Sequence, residues 1–272
     1  MQQVLKTMLE NVRAKTPLVH NITNYVTVND VANVLLAAGG SPIMSDDADD
    51  VEDITSICGG LNINIGTLNK NTIPSMFLAG KKANELGHIV LLDPVGAGAS
   101  RLRTDTANRL MQEVRFDAVR GNISEIKTLC TGSGSTKGVD ADAVDAVTEA
   151  NLDDGVQLVK TFAQRAGCIV AVTGAIDLVS DGERCWCIRN GRAEMSRITG
   201  TGCQLSALMT AFLVANPDHK LAAVCMMGLA GEIGWANMQP GDGNSTYRNR
   251  IIDAIFNMTG DALEKGAKYE LR

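Results

Sequence analysis

Ile198-Thr199-Gly200-Thr201-Gly202-Cys203 stands directly before residues 204–214, a stretch of good helix formers with apolar spacing. The first turn of a helix leaves backbone N–H groups unpaired, and the helix dipole adds positive potential there. Glycines at 200 and 202 let a charged group reach that backbone with no Cβ in the way. Two readings follow for Gly200, Thr201, Gly202 and Cys203. They form a cradle for negative charge, such as a phosphoryl group in transit, or a glycine-rich turn ahead of a packing helix. A second chemical cluster begins at Asp93, which heads Asp93-Pro94-Val95-Gly96-Ala97-Gly98. An acid at a strand end before a glycine loop suits a magnesium–phosphate site, because Mg²⁺ takes one or two carboxylates and fills the rest with water and phosphate. Its other reading is a cap for the next helix. Glu125 offers a second carboxylate through water, or is simply an acid favoured in a first helical turn. Arg120 presents a planar fork suited to phosphate, or makes a surface ion pair. Asn122 and Thr173 fall at strand ends of the same kind.

These residues need a scaffold that brings strand ends together. Residues 88–93, 116–120 and 168–173 are short apolar runs that suit strands buried on both faces, and residues 61–66 alternate like a strand. Residues 71–86 and 153–165 lie between them with helical spacing. Strand–helix alternation predicts an α/β fold, a central mostly parallel sheet with helices on both faces, in one domain spanning 1–272. Residues 176–188 read as a hairpin around Asp181-Gly182, extending one edge of the sheet. Ligands of such sheets sit at the carboxyl ends of the strands.

Composition narrows the function. A chain of 272 residues buries a full core without staples. Its net charge of −6, without a basic run, argues against nucleic acid. The apolar run 221–238 is broken by Glu232 and glycines, so it reads as a buried helix and not a membrane span. Seven cysteines, an odd number with no C-x-x-C pair, read as reduced and mostly buried thiols of a cytoplasmic protein. The first residues lack the apolar core of a secretory leader. Residues 132–138 look like a nucleotide loop but lack the Walker spacing and read as a surface loop. Gly96-Ala97-Gly98 lacks the third glycine of a dinucleotide fingerprint. His20, His88 and His219 are scattered without metal spacing, and Asp46-Asp47-Ala48-Asp49-Asp50 reads as a solvated loop or helix start.

Seven segments in order give the chain a family likeness. They are Val19-His20-Asn21-Ile22-Thr23-Asn24-Tyr25-Val26-Thr27, Ser41-Pro42-Ile43-Met44-Ser45, Leu61-Asn62-Ile63-Asn64-Ile65-Gly66-Thr67, Asp93-Pro94-Val95-Gly96-Ala97, Arg120-Gly121-Asn122 with Ser124-Glu125, Val172-Thr173-Gly174, and Thr199-Gly200-Thr201-Gly202-Cys203. Over nearly its whole length the chain resembles the hydroxyethylthiazole kinases of the ribokinase-like superfamily. The resemblance implies transfer of the ATP γ-phosphoryl group to the primary hydroxyl of 4-methyl-5-(2-hydroxyethyl)thiazole, with Mg²⁺, in thiamine salvage. It implies a three-layer fold and a homotrimer with the thiazole between subunits. Asn24 and Met44 would contact the thiazole, Gly200 the hydroxyethyl group, and Arg120, Asn122 and Thr173 the ATP phosphates. Asp93 and Glu125 would organise magnesium, and the amides of Gly200 to Cys203 would be the anion hole.

Cys203 stands where sugar kinases of the superfamily carry an aspartate base. A helix N-terminus lowers a thiol pKa and nearby phosphates raise it, so the sequence leaves the sign open. The expectation is a residue beside the hydroxyl that is a modest base. Three other functions share the scaffold: a hydroxymethylpyrimidine kinase, an ATP-dependent dehydratase of hydrated nicotinamide cofactors, and a silent thiazole binder. The segments around His20 and Met44 weigh against the dehydratase and the intact phosphate-site residues against the silent binder, leaving the pyrimidine kinase as the nearest rival.

Overall fold

A computed structural model describes residues 4–131, 146–217 and 221–272. The loop at 132–138 and His219 lie outside the described residues. In chain order the elements are α1 (Val4–Lys15), β1 (Leu18–Ile22), α2 (Val28–Ala38), β2 (Ser41–Met44), α3 (Val51–Ile57), β3 (Gly60–Asn64), α4 (Thr72–Leu86) and β4 (Ile89–Asp93). Next come α5 (Arg101–Glu113), β5 (Ala118–Asn122), α6 (Ile123–Thr131), α7 (Leu152–Ala166), β6 (Ile169–Thr173), β7 (Asp177–Ser180) and β8 (Cys185–Ile188). The chain closes with α8 (Thr201–Ala215), α9 (Ala222–Ala236), α10 (Asn244–Asn257), α11 (Gly260–Gly266) and β9 (Tyr269–Leu271).

Strand β4 is apolar throughout because both of its faces are covered. Val90 and Leu92 join the layer that holds α4 to α7, whereas Leu91 joins the layer of α1 and α8 to α11. The expected three layers are present. The strands run in the order β2-β1-β3-β4-β5-β6-β7-β8-β9, with β1 to β6 mutually parallel and β7 to β9 antiparallel. The chain leaves β1 outward to β2 and returns on the other side to β3. That reversal makes a crevice beyond the carboxyl ends of β1 and β3, where open parallel sheets bind ligands.

The β7–β8 hairpin forms around Asp181-Gly182 and extends the sheet beyond β6 as read, and β9, not foreseen, adds antiparallel to β8 outside it. Three residues, Tyr-Glu-Leu, carry too little alternation to announce a strand. The run at 221–238 holds α9, buried along most of its length as expected. Among the described residues no helix is long and apolar enough to cross a membrane.

Helix α8 is buried on nearly every side, which is why it is apolar all round and not striped. It lies across the centre of the sheet and aims its N-terminus at the strand ends. Its seat on β3 requires a glycine. A Cβ on Gly60 would stand 2.7 Å from Val214 Cγ2 and 2.9 Å from Thr210 Cγ2, two branched side chains with little freedom. Gly60→Ala is therefore expected to destabilise the fold by about 1–3 kcal/mol, read as a lower urea midpoint. An unchanged midpoint would mean that α8 is not held against β3 at this point.

Candidate active site

The sequence-predicted residues meet at the carboxyl edge of the sheet. Asn24 follows β1, Met44 ends β2, Asp93 ends β4, Arg120 and Asn122 close β5, and Thr173 ends β6. Gly200 caps α8 above them in the left-handed region, with φ +86°. A Cβ there would lie 2.3 Å from Thr27 Cγ2, so glycine serves both the backbone conformation and the close approach of the segment after β1.

Asp93 is fully buried and organises the centre. Its Oδ2 accepts hydrogen bonds from Asn64 Nδ2 and Ser206 Oγ, both at 2.8 Å. Arg120 Nη1 lies 3.6 Å from the same oxygen. The other oxygen, Oδ1, has no hydrogen-bond partner among the described residues. Burial pushes the Asp93 pKa up, and Arg120, Ser206 and Asn64 oppose it. Asp93 caps no helix. The following helix, α5, is capped by Ser100, whose side chain accepts from the Arg103 amide.

Arg120 is a largely enclosed partner of the buried Asp93, not half of a surface ion pair. It also donates to Thr173 Oγ1. Its guanidinium rests on the first turn of α8, where a Cβ on Gly202 would come within 2.3 Å of Nη1. The first turn of α8 and a held guanidinium thus stand side by side, a pairing of donors chemically suited to an anion.

Glu125 and Asn122 form a reciprocal cap for α6. The Glu125 amide donates to Asn122 Oδ1, and Glu125 Oε2 accepts from the Asn122 amide, each at 2.8 Å. Glu125 Oε1 accepts from the Gly96 amide at 2.7 Å, which ties the glycine loop after β4 to α6. Glu125 thus serves the α6 cap that one reading expects, and burial, with Asp93 nearby, raises its pKa. The donor set fits Mg²⁺. A buried carboxylate oxygen without a partner needs a cation or a water. Two carboxylates beside an anion cradle match an ion that takes few protein ligands.

On the other side of the crevice, Asn24 is buried, donating to Asn64 Oδ1 at 3.1 Å and to Cys203 Sγ at 3.2 Å. Its Oδ1 accepts from the amide and hydroxyl of Thr27. Met44 packs against the small apolar cluster of Val19, Val31, Leu35 and Cys203. Burial, with Asp93 nearby, raises the Cys203 pKa. The sign left open by the sequence is therefore upward, and the thiol stays protonated at neutral pH. All seven cysteines are unpaired, and all but Cys130 are buried. The acidic run 46–50 is an exposed lead-in to α3, as read.

Three contributors were missed. Asn64 joins the two halves, donating to Asp93 and accepting from Asn24 and the Gly66 amide. It ends β3 as Asp93 ends β4, and that parallel was the available signal. Ser206 lies one turn after Cys203 on the same helical face, which spacing alone reveals. Asp177 opens β7 and accepts from the Gly174 amide at 2.8 Å, fixing the turn that follows Thr173. It looked like an ordinary hairpin residue.

Comparison with known proteins gives a consistent result. The family model described as "Hydroxyethylthiazole kinase family" matches residues 9–261. A protein of Clostridium acetobutylicum named hydroxyethylthiazole kinase is 56% identical over 271 residues, covering 98% of this chain and 99% of its own. A solved hydroxyethylthiazole kinase structure from Pyrococcus horikoshii OT3 is similar over the full length of both chains, with 33% identity and a TM-score of 0.87. A pyridoxal kinase from Staphylococcus aureus, solved with ADP, is 14% identical with a TM-score of 0.61, covering 84% of this chain and 90% of its own. It shares the ribokinase-like fold.

Two acids with raised pKa values, buried Glu125 and half-buried Asp177, make stability depend on pH. Burial, then the Asp93 charge, pushes Glu125 up to about 7, and burial pushes Asp177 up to about 7. Their ordinary values are 4.5 and 3.8, so between roughly pH 4 and 7 the folded chain holds protons that the unfolded chain releases. Stability contributed by these groups therefore falls as pH rises through that window. The protein is expected to melt at a higher temperature at pH 6 than at pH 8. Asp177→Asn, which keeps the acceptor for Gly174, should shrink the difference. An equal or larger difference in that variant would contradict the assignment.

Proposed function

The chain belongs to the hydroxyethylthiazole kinase family, and from that premise we propose that it moves the γ-phosphoryl group of ATP to the primary hydroxyl of 4-methyl-5-(2-hydroxyethyl)thiazole. The hydroxyl oxygen bonds to the γ-phosphorus, the bond to the β–γ bridging oxygen breaks with its electron pair leaving on ADP, and the hydroxyl proton passes to a phosphoryl oxygen and on to water. Such transfers need positioning and charge stabilisation more than early deprotonation. The observation that carries the reading is the closure of Arg120 onto Gly202 at the N-terminus of α8, beside the bare oxygen of Asp93. The Gly200 to Cys203 amides receive the developing charge. Arg120, held by Thr173 and Asp93, stands over the same space. Asn122 orders the end of β5.

Asp93 would hold Mg²⁺ through Oδ1, with Glu125 contributing through water; the ion would neutralise phosphate charge. The residues of the chain do the remaining work. Asn64 and Ser206 fill Oδ2 of Asp93 and so fix which way its other oxygen points. Asn24 and Met44 border the Cys203 side, where the thiazole would lie. Family resemblance suggests a homotrimer with its sites between subunits, and exposed apolar residues beside the crevice are consistent with a covering copy. Tyr25 and Val26, 77% and 57% exposed, follow Asn24, and Leu36 is 56% exposed on α2. A neighbouring copy would cover them and close the crevice. The unpaired thiols agree with a cytoplasmic setting.

Cys203 touches the reacting region as a thiol, and its raised pKa removes it as an efficient base. General bases contribute roughly 10²–10⁴-fold. Purified protein with Mg²⁺ and ATP is expected to release ADP on adding hydroxyethylthiazole and to yield the phosphorylated thiazole. Hydroxymethylpyrimidine and hydrated NADH should leave ATP untouched. Cys203→Ala should keep kcat within about tenfold, below what loss of a base would remove. Turnover with the pyrimidine alone would overturn the substrate, and a loss of 10²-fold or more in Cys203→Ala would restore the base.

A further inference from the structure

His20 lies outside the reacting cluster, yet it is fully buried in the middle of β1 with both ring nitrogens engaged. Nε2 sits 2.9 Å from the carbonyl oxygen of Ser45, and Nδ1 sits 2.9 Å from Thr55 Oγ1 on α3. A carbonyl can only accept, so Nε2 carries the proton and Nδ1 accepts from the threonine hydroxyl. Burial lowers the His20 pKa, which keeps this neutral tautomer across the physiological range. The ring bridges three elements: β1, α3 and the first residue beyond β2.

Ser45 follows Met44 directly, and its hydroxyl donates to Asp50 Oδ2 at 2.5 Å. Among the described residues, strand β2 is an edge of the sheet and pairs with β1 alone. Its last registered pair is Asn21 with Met44. Beyond that point no ladder among the described residues holds the chain, and the exposed acidic segment 46–50 begins. The Ser45 carbonyl is therefore anchored by His20 where strand pairing ends.

We infer that His20 is a positioning residue for the acceptor-alcohol pocket: through the Ser45 carbonyl it fixes Met44 against the Cys203 side of the crevice, while taking no part in phosphoryl transfer. The inference rests on the proposed place of the thiazole beside Met44. Its signature is a change in KM for the alcohol without a change in kcat or in KM for ATP, since the phosphate cradle lies on other strands. A merely structural role would lower the folded fraction and leave KM alone.

Glutamine can place an amide donor near the position of Nε2, whereas asparagine reaches only as far as Nδ1. His20→Asn should raise KM for hydroxyethylthiazole about tenfold, roughly 1.4 kcal/mol, with kcat per folded molecule and KM for ATP within twofold. His20→Gln should recover most of the loss. Thr55→Val keeps the ring but removes the donor to Nδ1, so it tests the bridge if His20→Asn does not fold; a several-fold rise in the same KM is expected. Met44→Ala separates the two readings. If it leaves KM for the alcohol unchanged, the thiazole does not lie beside Met44. If it raises that KM while His20→Asn and Thr55→Val do not, the role of His20 is overturned and the pocket stands.

Discussion

A carboxylate with no access to water, Asp93, is the constraint around which this protein is arranged. Taking such a group out of water costs several kcal/mol unless neighbours compensate. Here the compensation is lopsided. Asn64, Ser206 and Arg120 all address Oδ2, and Oδ1 has no partner among the described residues. The partners come from β3, α8 and β5, so the carboxylate orders three elements at once. Arg120, drawn in by Asp93, is then set against Gly202, and the absence of a side chain at that glycine lets it lie there.

The sheet order explains why these groups can meet. Reversal of direction between β1 and β3 opens a crevice, and Asn64 stands at its lip. Its amide donates toward Asp93 on the phosphate side and its carbonyl accepts from Asn24 on the side of Met44 and Cys203. One side-chain amide thus couples the two halves. Helix α8 completes the site because it is buried from Cys203 to Leu213, so its N-terminus has a fixed direction. A surface helix carrying the same Gly-Thr-Gly-Cys would aim less reliably.

Much of this was legible in the sequence. Apolar runs such as 88–93 signalled strands with two covered faces, and polar residues ending those runs marked Asp93, Arg120 and Thr173. The glycines at 200 and 202 signalled a close approach, although not that the neighbours would be Thr27 and Arg120. Other features depend on partners distant in the chain. Ser206 reads as a helical serine until Asp93 is seen opposite it. The sign of the Cys203 shift required knowing its burial and its distance from Asp93. Strand β9 is three residues long and exists because β8 offers an edge. Asp177 has the pattern of a hairpin residue, and only packing makes it a half-buried acid with a raised pKa.

The orientation of Asp93 is the central claim, and nucleotide binding with a metal tests it most directly. Wild type and Asp93→Asn would be titrated calorimetrically with ADP, in the presence and absence of Mn²⁺. If Oδ1 faces the metal–nucleotide site, Mn²⁺ should tighten ADP binding to wild type, and the asparagine variant should lose about tenfold of that enhancement, roughly 1.4 kcal/mol. Its affinity for metal-free ADP should hold or improve as a buried negative charge is removed. An equal Mn²⁺ enhancement in both proteins would contradict the claim and leave Asp93 as an anchor for Arg120 alone.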